Sequence, residues 1–276
     1  DASDQSVHAL YCHNYARVFY VRSDDDGLTW SDPREVTDSF TPFRDGYPWR
    51  VFATGPGHGI QLKNGRLVVP IWMSDGSGTE HGPGKLGHRP STVAGIYSDD
   101  HGKTWQCGDI IVRTEGDFIN PSETLPLELD DGRVLFNIRS EAPQHRRLIS
   151  ISSDGATGWS HPEFDDALLE PVCMGSILKL QNGAVIFVNP DNLENEFTKP
   201  ERAAYDRKRV TVKMSLDDCK TWSVSKILEP GQSSYSDLAQ TLDGTILCLY
   251  EDQMVTGQYD TKYVTVARFD LDWLEA

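Results

Sequence analysis

Short apolar runs recur along this chain, separated by pairs of turn-forming residues. Val7–Cys12, Arg17–Val21, Leu67–Trp72, Val93–Tyr97, Val134–Ile138, Leu148–Ile151, Ala184–Val188, Val210–Met214, Ile246–Tyr250 and Val264–Phe269 are rich in β-branched and aromatic residues. Such side chains fit a pleated, half-buried surface, so the runs predict strands. Asn64-Gly65, Asp131-Gly132, Asn182-Gly183 and Asp243-Gly244 each stand before a strand and predict tight turns. Helical periodicity is nearly absent, and only Pro200–Tyr205 suggests a helical turn. The Gly-rich stretch Ser74–Pro90 reads as a long loop between two strands, the kind of connection that often carries function.

A second pattern overlies the first. Ser23–Trp30 (SDDDGLTW), Ser98–Trp105 (SDDHGKTW), Ser152–Trp159 (SSDGATGW) and Ser215–Trp222 (SLDDCKTW) are versions of Ser-x-Asp-x-Gly-x-Thr-Trp. The third keeps Ser, Asp and Trp but lacks the Gly and Thr at their places, and the fourth has Cys219 where Gly is expected. The copies start 75, 54 and 63 residues apart, which marks similar units with loops of varying length. Asp and Gly form turns, the carboxylate accepts nearby N–H groups, and the Trp ring is expected to bury against the sheet. A turn pair, strands and then a box give units of four strands, the blade of a β-propeller. A β-sandwich is the competing all-β reading, and the repeated box favours the propeller. No linker divides the chain, so residues 1–276 are expected to form one domain.

Composition narrows the partners. The net charge of −16 argues against nucleic acid, whose binding needs clustered Lys and Arg. It leaves an anionic small substrate open, because a few local arginines override the global field. No apolar run approaches the roughly 18 residues of a membrane span. The five cysteines, Cys12, Cys107, Cys173, Cys219 and Cys248, are widely spaced and contain no CxxC pair, so neither a zinc site nor a disulfide framework is predicted. His58, His81 and His88 lack ligand spacing, and no metal or cofactor is expected. The chain begins at Asp1 rather than Met, so either a leader was removed or the sequence is a fragment; the compartment is left open, with a secreted or periplasmic setting favoured.

The boxes and the segments around them resemble the bacterial-type exo-sialidases (neuraminidases) of the Asp-box sialidase superfamily. Thr54–Leu62 followed by Asn64–Val68 is similar to a family segment entering an inner strand. Glu123, with Leu127–Gly132 and Asn137-Ile138-Arg139 after it, is similar to the stretch carrying the catalytic glutamate and a substrate-binding arginine. Arg207, in RKRVTVKMSLDDCKTW, matches the next arginine of the family triad. Tyr235, in Ser234–Leu238 with Asp243–Ile246 and Leu249–Glu251 after it, matches the nucleophilic tyrosine. The resemblance implies a six-bladed propeller, of which this length supports about five to six units.

Chemistry gives independent reasons for these residue types. A sialoside bears a carboxylate on its anomeric carbon, so a carboxylate nucleophile would approach against like charge. A tyrosine is neutral until deprotonated, and sialidases are an exception to the two-carboxylate scheme. Phenol needs a neighbouring base, the role implied for Glu123. Arg139 and Arg207 offer the planar, permanently charged donors that suit a carboxylate. The family's Arg-Ile-Pro segment, with the first triad arginine, and the acid/base aspartate after it are not found. The chain therefore resembles a sialidase lacking its N-terminal blade, and Asp45, Glu80 and His81 are candidates for a substitute acid. Arg50 and Trp72 lie where a substrate loop or inner strand is expected, but loop packing is the favoured role for both.

The expected activity is retaining hydrolysis of terminal sialic acids from glycoconjugates. The alternative is a catalytically weakened propeller that binds sialic acid or another acidic glycan as a lectin. Uncovered strands next to an absent blade favour association, so a homo-oligomer is a further expectation.

Overall fold

A computed structural model describes residues 1–196, 205–255 and 260–276. The helical turn read at Pro200–Tyr205 falls outside the described residues except for Tyr205, which is not helical. The chain clusters into two compact units: residues 1–138 with 150–163, and residues 139–149 with 164–276. The regular secondary structure of the described residues is almost entirely β, in the antiparallel meanders of the β-propeller class.

In the first unit, β1 (Val7–His13), β2 (Arg17–Ser23) and β3 (Arg34–Glu35) form a three-stranded sheet. A 3-10 turn at Thr37–Phe40 and a short helix, α1 (Phe43–Gly46), lead to the next sheet. That sheet contains β4 (Val51–Ala53), β5 (Ile60–Gln61), β6 (Leu67–Ser74), β7 (Ser91–Ser98) and β8 (Gln106–Arg113). Its order is β4-β6-β7-β8, with β5 also paired to β6. Val18, Phe40, Trp49, Phe52, Ile71, Met73 and Ile96 close the core between these elements. The predicted loop between Ser74 and Pro90 is the connection from β6 to β7.

β9 (Thr124–Glu128) and β10 (Val134–Ile138) follow as a buried hairpin. With β11 (Arg146–Ser152) and β12 (Glu163–Leu169) they make a sheet of order β12-β11-β10-β9. In the second unit, β13 (Ser176–Lys179), β14 (Val185–Pro190), β15 (Lys208–Ser215), β16 (Val224–Gln240), β17 (Ile246–Met254) and β18 (Thr261–Phe269) form one continuous ladder. β16 pairs with β15 through Val224–Gln232 and with β17 through Ser233–Gln240, so it closes one meander and opens the next. The sheets therefore hold three, five, four and six strands rather than a uniform four. Every residue of β14 is buried, because its continuous apolar run is covered on both faces. A C-terminal helix, α2 (Leu271–Glu275), was not apparent in the sequence pattern. Asp270 caps it by accepting the Trp273 N–H at 2.8 Å.

The Asp boxes join β2 to β3, β7 to β8, β11 to β12 and β15 to β16. Their chemistry repeats. Asp25 accepts the Thr29 N–H at 2.8 Å and its hydroxyl at 2.6 Å, and Ser23 Oγ accepts the Gly27 N–H at 2.9 Å. Asp100 with Thr104 and Asp217 with Thr221 make the same pair of bonds. The third box keeps the bonds with a shifted register, since Asp154 accepts the N–H of Thr157, three residues on, at 2.8 Å. Cys219 adopts φ +67°, the left-handed conformation that Gly27 and Gly102 supply in the first two boxes. One expectation fails: Trp105 is 5 % exposed, but Trp30 is 44 % exposed. Trp30 caps its own turn instead, donating from Nε1 to the Gly27 carbonyl at 3.1 Å.

Candidate active site

In the second unit, three of the residues singled out in the sequence come together. Arg139 follows directly on β10, and its Nη1 donates to Tyr235 Oη at 2.9 Å. The Arg207 guanidinium carbon lies 5.1 Å from the centre of the Tyr235 ring, within reach of its π-face. Tyr235 stands where β16 changes partners, and the register slips between Ser233 and Ser236. Such a bulge re-aims a side chain out of the ladder. A partly exposed phenol thus has one guanidinium at its oxygen and another at its ring, in a chain whose overall charge is strongly negative.

Further groups hold this arrangement. Arg207 is 5 % exposed; its Nη1 donates to Ser234 Oγ at 3.0 Å and its Nη2 to the Val172 carbonyl at 2.9 Å. Glu251 Oε2 accepts the Tyr235 backbone N–H at 3.2 Å, fixing the main chain at the phenol. Val172 could not be read from the sequence, because it contributes a backbone carbonyl from a residue at φ +66°. Ser234 and Glu251 flank the tyrosine motif, but nothing in their spacing reveals which atom each one holds.

Glu123 belongs to the first unit, where it immediately precedes β9 and is 9 % exposed. Its charge bears on His88, whose ring lies 5.2 Å from Trp72 and 4.3 Å from His81, edge to face in both cases. Burial, then the His81 charge, lower the His88 pKa, while Glu80 and Glu123 work to raise it. Trp72 is fixed by its Nε1 bond to the Gly55 carbonyl at 2.9 Å.

The candidate substitute acids differ in setting. Glu80 organises its own loop, accepting the backbone N–H groups of His88 and Arg89 at 2.5 and 3.1 Å. Burial works to raise its pKa, but backbone bonds and the Arg89 and His81 charges outweigh it, leaving the carboxyl below the ordinary glutamate value. A carboxyl held ionised in this way is poorly suited to donate a proton. Asp45 lies exposed on α1, and His81 is exposed beside His88. The Arg50 backbone N–H donates to the Ser74 carbonyl at 2.8 Å, and the residue itself is exposed. His58 lines a cavity of about 450 Å³ together with His8, Thr54, Gln61 and Trp105. Among the described residues, Asp1, Asp4 and His8 bring possible metal-ligand atoms within 4.8 Å of one another. Ser6 already bridges Asp4 and His8 by hydrogen bonds of 2.6 and 2.9 Å, and Arg22 pairs with Asp4 at 3.0 Å.

Comparison with known proteins adds to this geometry. Residues 3–248 match the family described as BNR repeat-like domain. A sialidase of Micromonospora viridifaciens is 32 % identical over 265 residues, covering 95 % of this chain and 36 % of that protein. A sialidase of Bacteroides fragilis is 29 % identical over 249 residues, covering 87 % of this chain and 40 % of that protein. Among solved structures, the Hadza microbial sialidase Hz136 superimposes with a TM-score of 0.71 at 25 % identity, over 98 % of this chain and 50 % of that one. The NanB sialidase from Streptococcus pneumoniae gives 0.72 at 19 % identity, over 94 % and 36 %, a likeness of fold. The chain thus spans between about a third and a half of the length of these relatives.

Proposed function

Because the chain belongs to the sialidase family through its BNR repeat-like domain, we propose that it carries the site of a retaining exo-sialidase acting on terminal sialic acids of glycoconjugates. Residues 1–276 form one propeller domain in this reading. Arg139 and Arg207 take the substrate carboxylate by charge-assisted hydrogen bonds, the geometry for which guanidinium is suited. Glu123 is the base that withdraws the Tyr235 proton as the phenolic oxygen attacks the anomeric carbon. The glycosidic C–O bond breaks, the leaving oxygen takes a proton from a solvent water molecule, and a tyrosyl–sialoside remains. Water then attacks the same carbon and gives up its proton to solvent, Glu123 returns the proton to the tyrosine oxygen, and two inversions give net retention.

The observation that carries this reading is the 2.9 Å bond from Arg139 Nη1 to Tyr235 Oη, with Arg207 over the same ring. Positive charge on both sides of a phenol favours negative charge developing on its oxygen as it attacks. A neutral tyrosine there also avoids the like-charge repulsion that a carboxylate nucleophile would meet.

The test is stereochemical. Hydrolysis of a sialyllactose is followed from its first minutes by proton NMR. The α-anomer of free sialic acid is expected first, with the β-anomer growing in by mutarotation. A β-anomer that appears first would mean direct attack by water and would remove Tyr235 from its role.

A further inference from the structure

We infer that the buried ion pair Arg147–Glu170 positions Arg207 for carboxylate recognition, acting through the backbone of the loop after β12; this rests on the proposed reading of Arg207. Both side chains are fully buried in the second unit. Arg147 is an inward-facing residue of β11, its guanidinium 5.8 Å from the Phe187 ring. Its Nη1 donates to Glu170 Oε2 at 2.5 Å and to the Cys173 carbonyl at 3.3 Å. Glu170 Oε1 accepts the Cys173 N–H at 2.8 Å. The pair therefore grips Cys173 by both its backbone N–H and its carbonyl.

Arg207 depends on the neighbouring residue. Val172, adjacent to Cys173, offers its carbonyl to Arg207 Nη2 from a conformation at φ +66°. A β-branched residue avoids that region, so the surrounding bonds must impose it. The rest of the loop is tied down as well. The Leu169 carbonyl accepts Asn189 Nδ2 at 2.7 Å, the Glu170 N–H donates to the His145 carbonyl at 3.0 Å, and the Pro171 carbonyl accepts the Tyr205 N–H at 3.2 Å. Cys173 Sγ lies 3.8 Å from Ser234 Oγ, the second acceptor of Arg207. These two acceptors of the Arg207 guanidinium, the Val172 carbonyl and Ser234 Oγ, thus adjoin or touch Cys173.

The choice of an ion pair supports a positioning role. Two charges buried together seldom stabilise a fold more than well-packed apolar side chains of equal volume. A hydrophobic pair would fill this space but would leave both backbone groups of Cys173 without these bonds. What the ions add is a defined place for one short piece of main chain.

The test exchanges both partners, Arg147→Met with Glu170→Gln, so that no lone charge is buried. Calorimetry measures affinity for N-acetylneuraminic acid and for its methyl ester, with the thermal midpoint recorded alongside. The parent is expected to prefer the acid, and Arg207→Ala to reduce that preference. The paired exchange should lower the acid-to-ester affinity ratio about tenfold, mid-range for residues sharing one network. It should have no further effect once Arg207 is already alanine. If the pair does not fold, Glu170→Gln alone, which keeps an acceptor for the Cys173 N–H, should shift the ratio in the same direction by less. An unchanged ratio in a folded variant, with Arg207→Ala still lowering it, overturns the inference and leaves the reading of Arg207 standing. A ratio indifferent to Arg207→Ala overturns both.

Discussion

Gly108→Ala is the perturbation in which local geometry decides the sign of the outcome. Gly108 lies in β8 at a register slip, where Ala94 pairs with Ile110 and Ile96 with Cys107. A Cβ built there falls 2.4 Å from the Ala156 carbonyl oxygen and 3.0 Å from that of Gly95. Real Cβ contacts essentially never fall under 3.0 Å, so the Ala156 backbone would have to retreat by 0.6 Å (3.0 minus 2.4). Two bonds join these same segments: the Asp109 N–H to the Ala156 carbonyl, and the Gly158 N–H to Asp109 Oδ2, both at 2.8 Å. Replacing glycine by alanine at a compatible site gains about 0.4–1 kcal/mol through the unfolded chain. Overpacking costs about 1–3 kcal/mol, and weakening one hydrogen bond about 1 kcal/mol more. The net expectation is a loss of roughly 1–3 kcal/mol, read as a lower midpoint in urea unfolding. Gly231→Ala is the control, because its Cβ first meets only Glu229 Oε1, the end of a flexible side chain. Its midpoint should stay within roughly 0.5 kcal/mol of the parent, as for most exposed sites. A Gly108→Ala protein as stable as the parent would refute the packing argument.

Other outcomes follow from the site and the boxes. Arg139→Ala should weaken binding of sialic acid by roughly 1.5–3 kcal/mol, the range for a hydrogen bond to a charged group, and should lower turnover with it; calorimetry and initial rates check both. Asp154 has its carboxyl held at about 2: burial works to raise it, and the backbone N–H groups of Thr157 and Ala156 with the Ser152 hydroxyl prevail. A depressed folded pKa contributes stability that is fully present above the unfolded value near 3.8 and is lost as pH falls through about 2. Asp154→Asn should therefore cost roughly 1 kcal/mol at pH 7 after allowance for solvent screening. The gap from the parent in urea midpoints should close progressively below about pH 4.

Most of the strand pattern was legible because burial on one or both faces writes itself into the side chains, as in β14 and β17. β12 was not, because Glu163–Leu169 carries three acidic residues and is largely exposed; its pairing rests on backbone bonds that composition does not reveal. The boxes were legible as chemistry but not in register: Thr157 takes up the threonine bonds one place early, and Trp30 remains in solvent. Of the site, Arg139, Arg207 and Tyr235 came from the resemblance, and the second unit brings them together. The Val172 carbonyl and the Arg147–Glu170 pair were out of reach, since their roles depend on a backbone conformation and on contacts between distant strands.

The most direct measurement is turnover of an aryl α-sialoside by the protein and by Tyr235→Phe. An acidic phenol departs with little help from a general acid, so the assay isolates the nucleophile. Phenylalanine keeps the ring beneath Arg207 but lacks the attacking oxygen. The parent is expected to release the phenol, and Tyr235→Phe to lose most of that rate while sialic acid binding by calorimetry stays within a few-fold. Equal turnover in the two proteins, or none in either, would contradict the account.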